Sequence, residues 1–102
     1  MVTTTLLVDG MLSGTGIRDA LEGGYLQPRE LNLSPAFSNA LASWVLRYAE
    51  MHYAGYKDAA AIAALDKEGM ALRDQLEAER PDHVVGYYSD ALSKRLDSFP
   101  HV

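Results

Sequence analysis

Residues 34–55, SPAFSNALASWVLRYAEMHYAG, carry a start signal, one apolar stripe and a stop signal in sequence. Ser34 is suited to cap a helix, because its hydroxyl accepts a hydrogen bond from a first-turn N–H that has no partner inside the helix. Pro35 follows at the first helical position, where its missing N–H costs nothing and its fixed φ fits. Phe37, Leu41, Trp44, Val45, Tyr48, Met51 and His52 then recur at spacings that place them on one helical face. Gly55 comes where the chain must turn left-handed, a conformation glycine adopts cheaply. That position brings Tyr56 against Met51, the apolar contact that accompanies a Schellman ending.

A second helix is expected from an Asp58 cap to Arg80, just before Pro81. Ile62, Leu65, Gly69, Leu72 and Gln75/Leu76 form its inner seam, and five alanines between 59 and 64 add propensity at little entropic cost. Gly69 on that seam costs roughly 1 kcal/mol relative to alanine. Close approach of the first helix, under Trp44, is the expected compensation. Two helices joined by so short a turn form an antiparallel hairpin.

The flanks read as strands. TTTLLVDG (3–10) is β-branched and aliphatic and stops at Asp-Gly, and DHVVGYYSD (82–90) is β-rich, with Gly86 marking a bulge or close packing. The expected fold is therefore α+β: an antiparallel two-helix hairpin packed on a small antiparallel sheet formed by the N-terminal and C-terminal strands. The whole chain, 1–102, makes a single domain. Residues 11–33 hold four glycines and Pro28 and read as a long connection pinned by its own side chains, with one helical turn at Ile17–Leu21. ALSKRLDSFPHV reads as a last short helix with Leu92, Leu96 and Phe99 inward.

Composition narrows the function by exclusion. There is no cysteine, which removes disulfides, thiolate catalysis and cysteine metal sites. The N-terminus lacks a basic region and a long apolar run, so no secretory signal is read, and no segment is apolar over the ~18 residues a membrane span needs. A cytoplasmic protein is expected. Net charge is −5, which opposes general binding to nucleic acid. Most of that charge lies in residues 58–82, where seven acids and three bases leave −4.

No motif names a reaction. No serine sits in G-x-S-x-G. His52, His83 and His101 have no partner at metal-ligand spacing on one helix, and a partly buried residue at the end of its helix explains His52 better. The G-x-G at Gly14 and Gly16 lacks the rest of a nucleotide fingerprint, although Arg18 and Arg29 flank it. No catalytic residue, metal ligand or cofactor is assigned. Asp66, Asp74 and Glu77 are placed on the outer half of the second helix, where solubility explains them and a docking patch for a basic protein is the sharper reading. Tyr87 and Tyr88 are adjacent on a strand and must face opposite sides. Tyr53 lies off the apolar face of its helix. Exposed tyrosines near acids suit a protein-binding surface.

In order, SWVLRYAEMHYAGYKD, LDKEGMALRDQL and HVVGYYSDAL resemble a loose group of small bacterial single-domain proteins of unknown function. The resemblance rests on Trp44, Arg47, Tyr48, Gly55, Tyr56, Asp66, Glu68, Gly69, Leu72, Val85, Tyr87 and Asp90, and covers roughly residues 30–92. It implies a small α+β domain, of which some look like immunity or inhibitor modules, and it carries over no catalytic residue.

The expected function is a non-catalytic inhibitor, of immunity or phage anti-defence type, that binds a protein with a basic surface. Its expected contacts are Asp74, Glu77, Glu79, Asp82, Tyr53, Tyr56 and Tyr88. A homodimeric structural or regulatory module, joined through residues 83–89 or an exposed helix face, is the alternative. A small enzyme around His52, His83 and the 10–25 loop is the third reading.

Overall fold

A computed structural model describes residues 5–12 and 14–97. Strand β1 (Thr5–Asp9) turns into β2 (Ile17–Asp19), and a 3-10 helix (Pro28–Leu31) leads into α1 (Pro35–Tyr53) and α2 (Ala59–Glu79). Strands β3 (Val84–Ser89) and β4 (Lys94–Asp97) follow. The four strands form one sheet in the order β2-β1-β3-β4. The fold is α+β with two helices on a sheet that joins N-terminal and C-terminal strands.

The sheet is mixed rather than antiparallel. β1 runs parallel to β3, with Leu6 opposite Val85 and Val8 opposite Tyr87, while β2 and β4 pair antiparallel at the flanks. Parallel strands need a long crossover, and the helical hairpin is part of it. β1 pairs with β3 along Val84–Tyr88 on one side, and β4 covers Tyr87–Ser89 on the other. The segment expected to close the chain as a helix is instead strand β4 through Asp97, and Ile17–Asp19 is strand rather than helical turn. Phe99 and His101 lie outside the described residues. The pairing shifts register between Tyr87 and Tyr88, one residue past Gly86.

Both helix starts form as their sequences dictate. The Ser34 hydroxyl accepts from Phe37 N at 3.1 Å, and the Asp58 carboxylate accepts from Ala61 N at 3.0 Å. α1 ends with Gly55 at φ 77°, Gly55 N donating to His52 O and Tyr56 N to Met51 O. That is the Schellman pair of bonds. Tyr56 also has a positive φ, of 56°, unusual for a bulky residue.

The core lies between the helices and one sheet face. Leu6, Val8, Val85 and Tyr87 meet Phe37, Leu41, Trp44 and Tyr48 of α1 and Leu65, Leu72 and Leu76 of α2. A Cβ placed on Gly69 would overlap the Tyr87 ring and stand 2.7 Å from Trp44 Cζ2. The glycine is therefore the gap into which both rings fit. Trp44 Nε1 donates to Leu65 O at 2.8 Å, so the indole is tied to α2 as well as packed on it.

The two ends of the hairpin are also tied together. Glu79, at the end of α2, accepts from Ser34 N and from the Ser34 hydroxyl, each at 2.8 Å. These bonds, the backbone N–H first, hold its carboxyl below the usual glutamate range. A depressed acid contributes stability above its unfolded pKa of about 4.3 and loses it as pH falls through the folded value. Glu79→Gln should therefore cost about 1 kcal/mol at neutral pH. It should also flatten the loss of stability below about pH 4.3 in urea titrations. An unchanged acid profile would show that the tie carries no weight.

Candidate functional site

The parallel pair β1/β3 and the N-terminal half of α2 converge at one end of the molecule, where polar groups gather. Asp66 is at the centre, 5% exposed. Its Oδ1 accepts from the Tyr48 hydroxyl at 2.9 Å and the Tyr87 hydroxyl at 2.6 Å, and its Oδ2 accepts from the Ser89 hydroxyl at 2.8 Å. The Tyr48 and Ser89 oxygens in turn accept from Ala91 N at 3.1 Å and Leu92 N at 3.2 Å. One carboxylate thus joins α1, α2, β3 and the turn into β4.

Burial first, and then the hydrogen bond to Asp66 and its charge, push the Tyr87 hydroxyl far above the ordinary phenol value. Burial also raises Tyr48. Both phenols stay protonated at neutral pH and act as donors, not as bases. The expectation that Asp66 lies on the outer half of α2 is corrected. It falls one residue after Leu65 and three before Gly69, on the buried face. The outer-half expectation rests on helical periodicity, yet Asp66 stands four residues after Ile62 and three before Gly69, within the seam, and its three donors come from distant elements that no local spacing reveals.

A continuation of the cluster reaches α1. The Tyr56 hydroxyl donates to Asp90 at 2.7 Å and lies 3.1 Å from His52 Nδ1. Burial, followed by Asp90, raises the Tyr56 phenol well above its usual range. His83 stands before the first residue of β3, roughly 20 Å along that strand from Asp90. His52 and His83 are therefore not brought together. Among the described residues no group of three or more His, Cys, Asp or Glu side chains is arranged to hold a metal.

On the opposite sheet face Asp9 pins the glycine-rich loop. Asp9 is fully buried, and its Oδ1 accepts from the Tyr25 hydroxyl at 2.9 Å and from Met11 N at 3.2 Å. Arg18 Nε lies 3.1 Å from Oδ2, and Arg18 donates to the Tyr25 hydroxyl at 2.8 Å. Burial raises both Asp9 and Tyr25, the latter to about 12. Arg18, one of the two arginines that flank the G-x-G, is already engaged by these two residues.

The residues expected to meet a partner are distributed over three places. Asp74 and Glu77 lie on α2 and share Arg73, at 2.6 and 3.2 Å. Asp82 is exposed beside His83, with which it makes a 3.5 Å contact. Glu79 spends both carboxylate oxygens on Ser34. Tyr53 is 77% exposed at the end of α1, and Tyr56 is half-buried in the turn. From the start of α2 to Glu77 is about 27 Å of helix rise. Tyr88 faces away from the helices, paired with Asp9 on one side and Arg95 on the other.

Sequence reasoning also missed two cavities along α2. The wider, about 540 Å³, runs between Met70, Ala71 and Asp74 of α2 and Leu92 and Leu96. The narrower, about 260 Å³, is walled by Tyr56, Ala59, Ile62, Ala63, Ala91 and Leu92. Ala63, Asp66 and Leu92 line both, so the two form one groove with Asp66 at its floor. Leu92 is 52% exposed at its lip. The alanines and Leu92 were legible; that α2 and the β3–β4 turn enclose space was not.

Fold and groove together define a two-layer α+β domain with an open cleft beside its second helix. No protein-family model matches the chain, and comparison with curated proteins and with solved structures gives no match. Among the described residues no helix is long and apolar enough to cross a membrane.

Proposed function

We propose that this protein is a binding module that docks another protein along the flank of α2 and acts as an inhibitor of immunity or anti-defence type. The observation that carries the reading is the groove itself. Half-exposed Leu92 and partly exposed Met70 border it, and Asp74 lies where it meets a second, acid-lined cavity that also holds Glu77 and His83. An apolar strip bordered by charge is the arrangement of a protein interface, where the centre excludes water and the rim steers the partner. Asp74, Glu77 and Asp82 supply the acidic rim and favour a basic partner. Glu79 takes no part in it, since it holds Ser34. Tyr53 and Tyr88 belong to other surfaces.

The test is affinity capture from a bacterial lysate with the tagged protein and with a variant carrying Asp74→Lys, Glu77→Lys and Asp82→Lys. The partner so captured is then titrated in purified form. The expected result is a partner whose association weakens at least tenfold on charge reversal and falls with rising salt, because rim charges act mainly through steering and are screened. A partner bound equally by both forms would reject the acidic rim as the docking surface.

A further inference from the structure

We propose that the narrower end of the α2 groove receives a basic side chain, an arginine or a lysine, of the partner protein, with Asp66 as its counter-charge. This inference rests on the protein-binding reading above and names the anchor for it.

Four observations meet in this cavity. Asp66 is the one charged side chain among its lining residues. Its carboxylate is held by three neutral hydroxyls, and no salt bridge of the described residues includes it. A buried anion without a cation is an expensive arrangement unless something completes it. Oδ2 accepts one hydrogen bond where Oδ1 accepts two, and a carboxylate offers about four lone-pair positions. An acceptor site therefore remains on Oδ2.

The walls suit the rest of such a side chain. Ala59, Ala63 and Ala91 are small, Ile62 and Leu92 are aliphatic, and the Tyr56 ring closes one side. Arginine and lysine carry an aliphatic stem behind a charged head, so apolar walls above a carboxylate match them along their length. An aromatic ring beside the path adds attraction for the cation. The positive end of α2 is near, and Asp58 offsets it by capping Ala61 N at 3.0 Å. Lys67 lines only the wider part of the groove, and no basic residue is among those lining the Tyr56 end.

The experiment compares N-acetyl-L-arginine amide with its neutral isostere, N-acetyl-L-citrulline amide, by backbone amide NMR on the intact chain. The expected result is a saturable shift at Ala59, Ala63, Ala91 and Leu92 with the arginine probe. Binding of the citrulline probe is expected to be at least about tenfold weaker, since a bond between charged groups is lost. Asp66→Asn should abolish the difference. Because Asp66 also supports the fold, Ala63→Leu provides a second variant: it fills the cavity from an exposed helix position and leaves Asp66 in place. Equal responses to the two probes, or shifts confined to other residues, would overturn the proposal. A cavity silent to arginine, with partner binding unchanged in Ala63→Leu, would overturn it while leaving the protein-binding reading intact. Arginine binding that Ala63→Leu blocks, with no protein captured, would support the site and reject the protein-binding reading.

Discussion

Asp66→Ala should lower the stability of the domain by about 3–5 kcal/mol, because it strips three buried hydroxyls of their acceptor. The substitution leaves the Tyr48, Tyr87 and Ser89 hydroxyls facing a gap, and all three residues are fully buried. Each buried polar group without a partner costs about 1–3 kcal/mol, and partial rearrangement, such as a Tyr48–Ser89 bond, brings the total below the simple sum. Domains of this kind have about 5–15 kcal/mol to lose, so the variant should unfold at much lower urea. Asp66→Asn should cost less, about 1–3 kcal/mol, because its carbonyl still accepts from the two phenols and its amide can donate to Ser89. Adding Tyr87→Phe to Asp66→Ala should restore part of the loss, because one orphaned hydroxyl goes with it. Urea melts of the four proteins measure this. An Asp66→Ala cost within about 1 kcal/mol would show that the network is not what fixes the turn between β3 and β4.

The helix caps and the Gly55 ending were legible because they depend on neighbours in sequence. Ser34, Asp58 and Gly55 each act within four residues, and local chemistry determines what they do. The seam of α2 was legible for the same reason, and so was the meeting of Trp44 and Gly69, since a glycine on an apolar face implies a close neighbour. The direction of β1 against β3 was not. Parallel and antiparallel pairing place the same alternating side chains on the same face, so TTTLLVDG and HVVGYYSD look alike under either. The error at Ala91–Asp97 has a related cause. Leu92 and Leu96 are four apart, which suits a helix, yet Lys94–Asp97 pairs with β3 because that edge was open. Asp66 was misplaced because its periodicity was read with Asp74 and Glu77 rather than with Ile62 and Gly69, between which it falls on the seam. The groove was invisible because it belongs to α2 and the β3–β4 turn jointly.

Trp44→Ala should cost about 3–5 kcal/mol, the range for deleting a large aromatic from a packed core. Trp44 is fully buried, with its ring centroid 5.3 Å from that of Tyr48 and 6.1 Å from that of Tyr87. Trp44→Phe keeps part of the ring and loses the bond to Leu65 O, which should cost roughly half as much. Gly69 sits on the other side of the same contact. For Gly69→Ala two effects oppose: alanine gains roughly 1 kcal/mol of helix propensity, and overpacking costs about 1–3 kcal/mol. The overlap with Tyr87 and the 2.7 Å approach to Trp44 decide the sign, because neither buried ring has room to move, so Gly69→Ala should destabilise. The two changes should then fail to add. Trp44→Ala vacates one of the two sites that the new methyl would strike, and the double variant should be more stable than the sum of the single losses by about 0.5–3 kcal/mol. The coupling should be incomplete, since Tyr87 is held in place by its bond to Asp66 at 2.6 Å and still opposes the methyl. Tyr87→Phe frees that ring from its tether, so in that background Gly69→Ala should cost less. Additivity within about 0.5 kcal/mol across the Trp44–Gly69 cycle would mean that the glycine is set by something other than the rings packed against it.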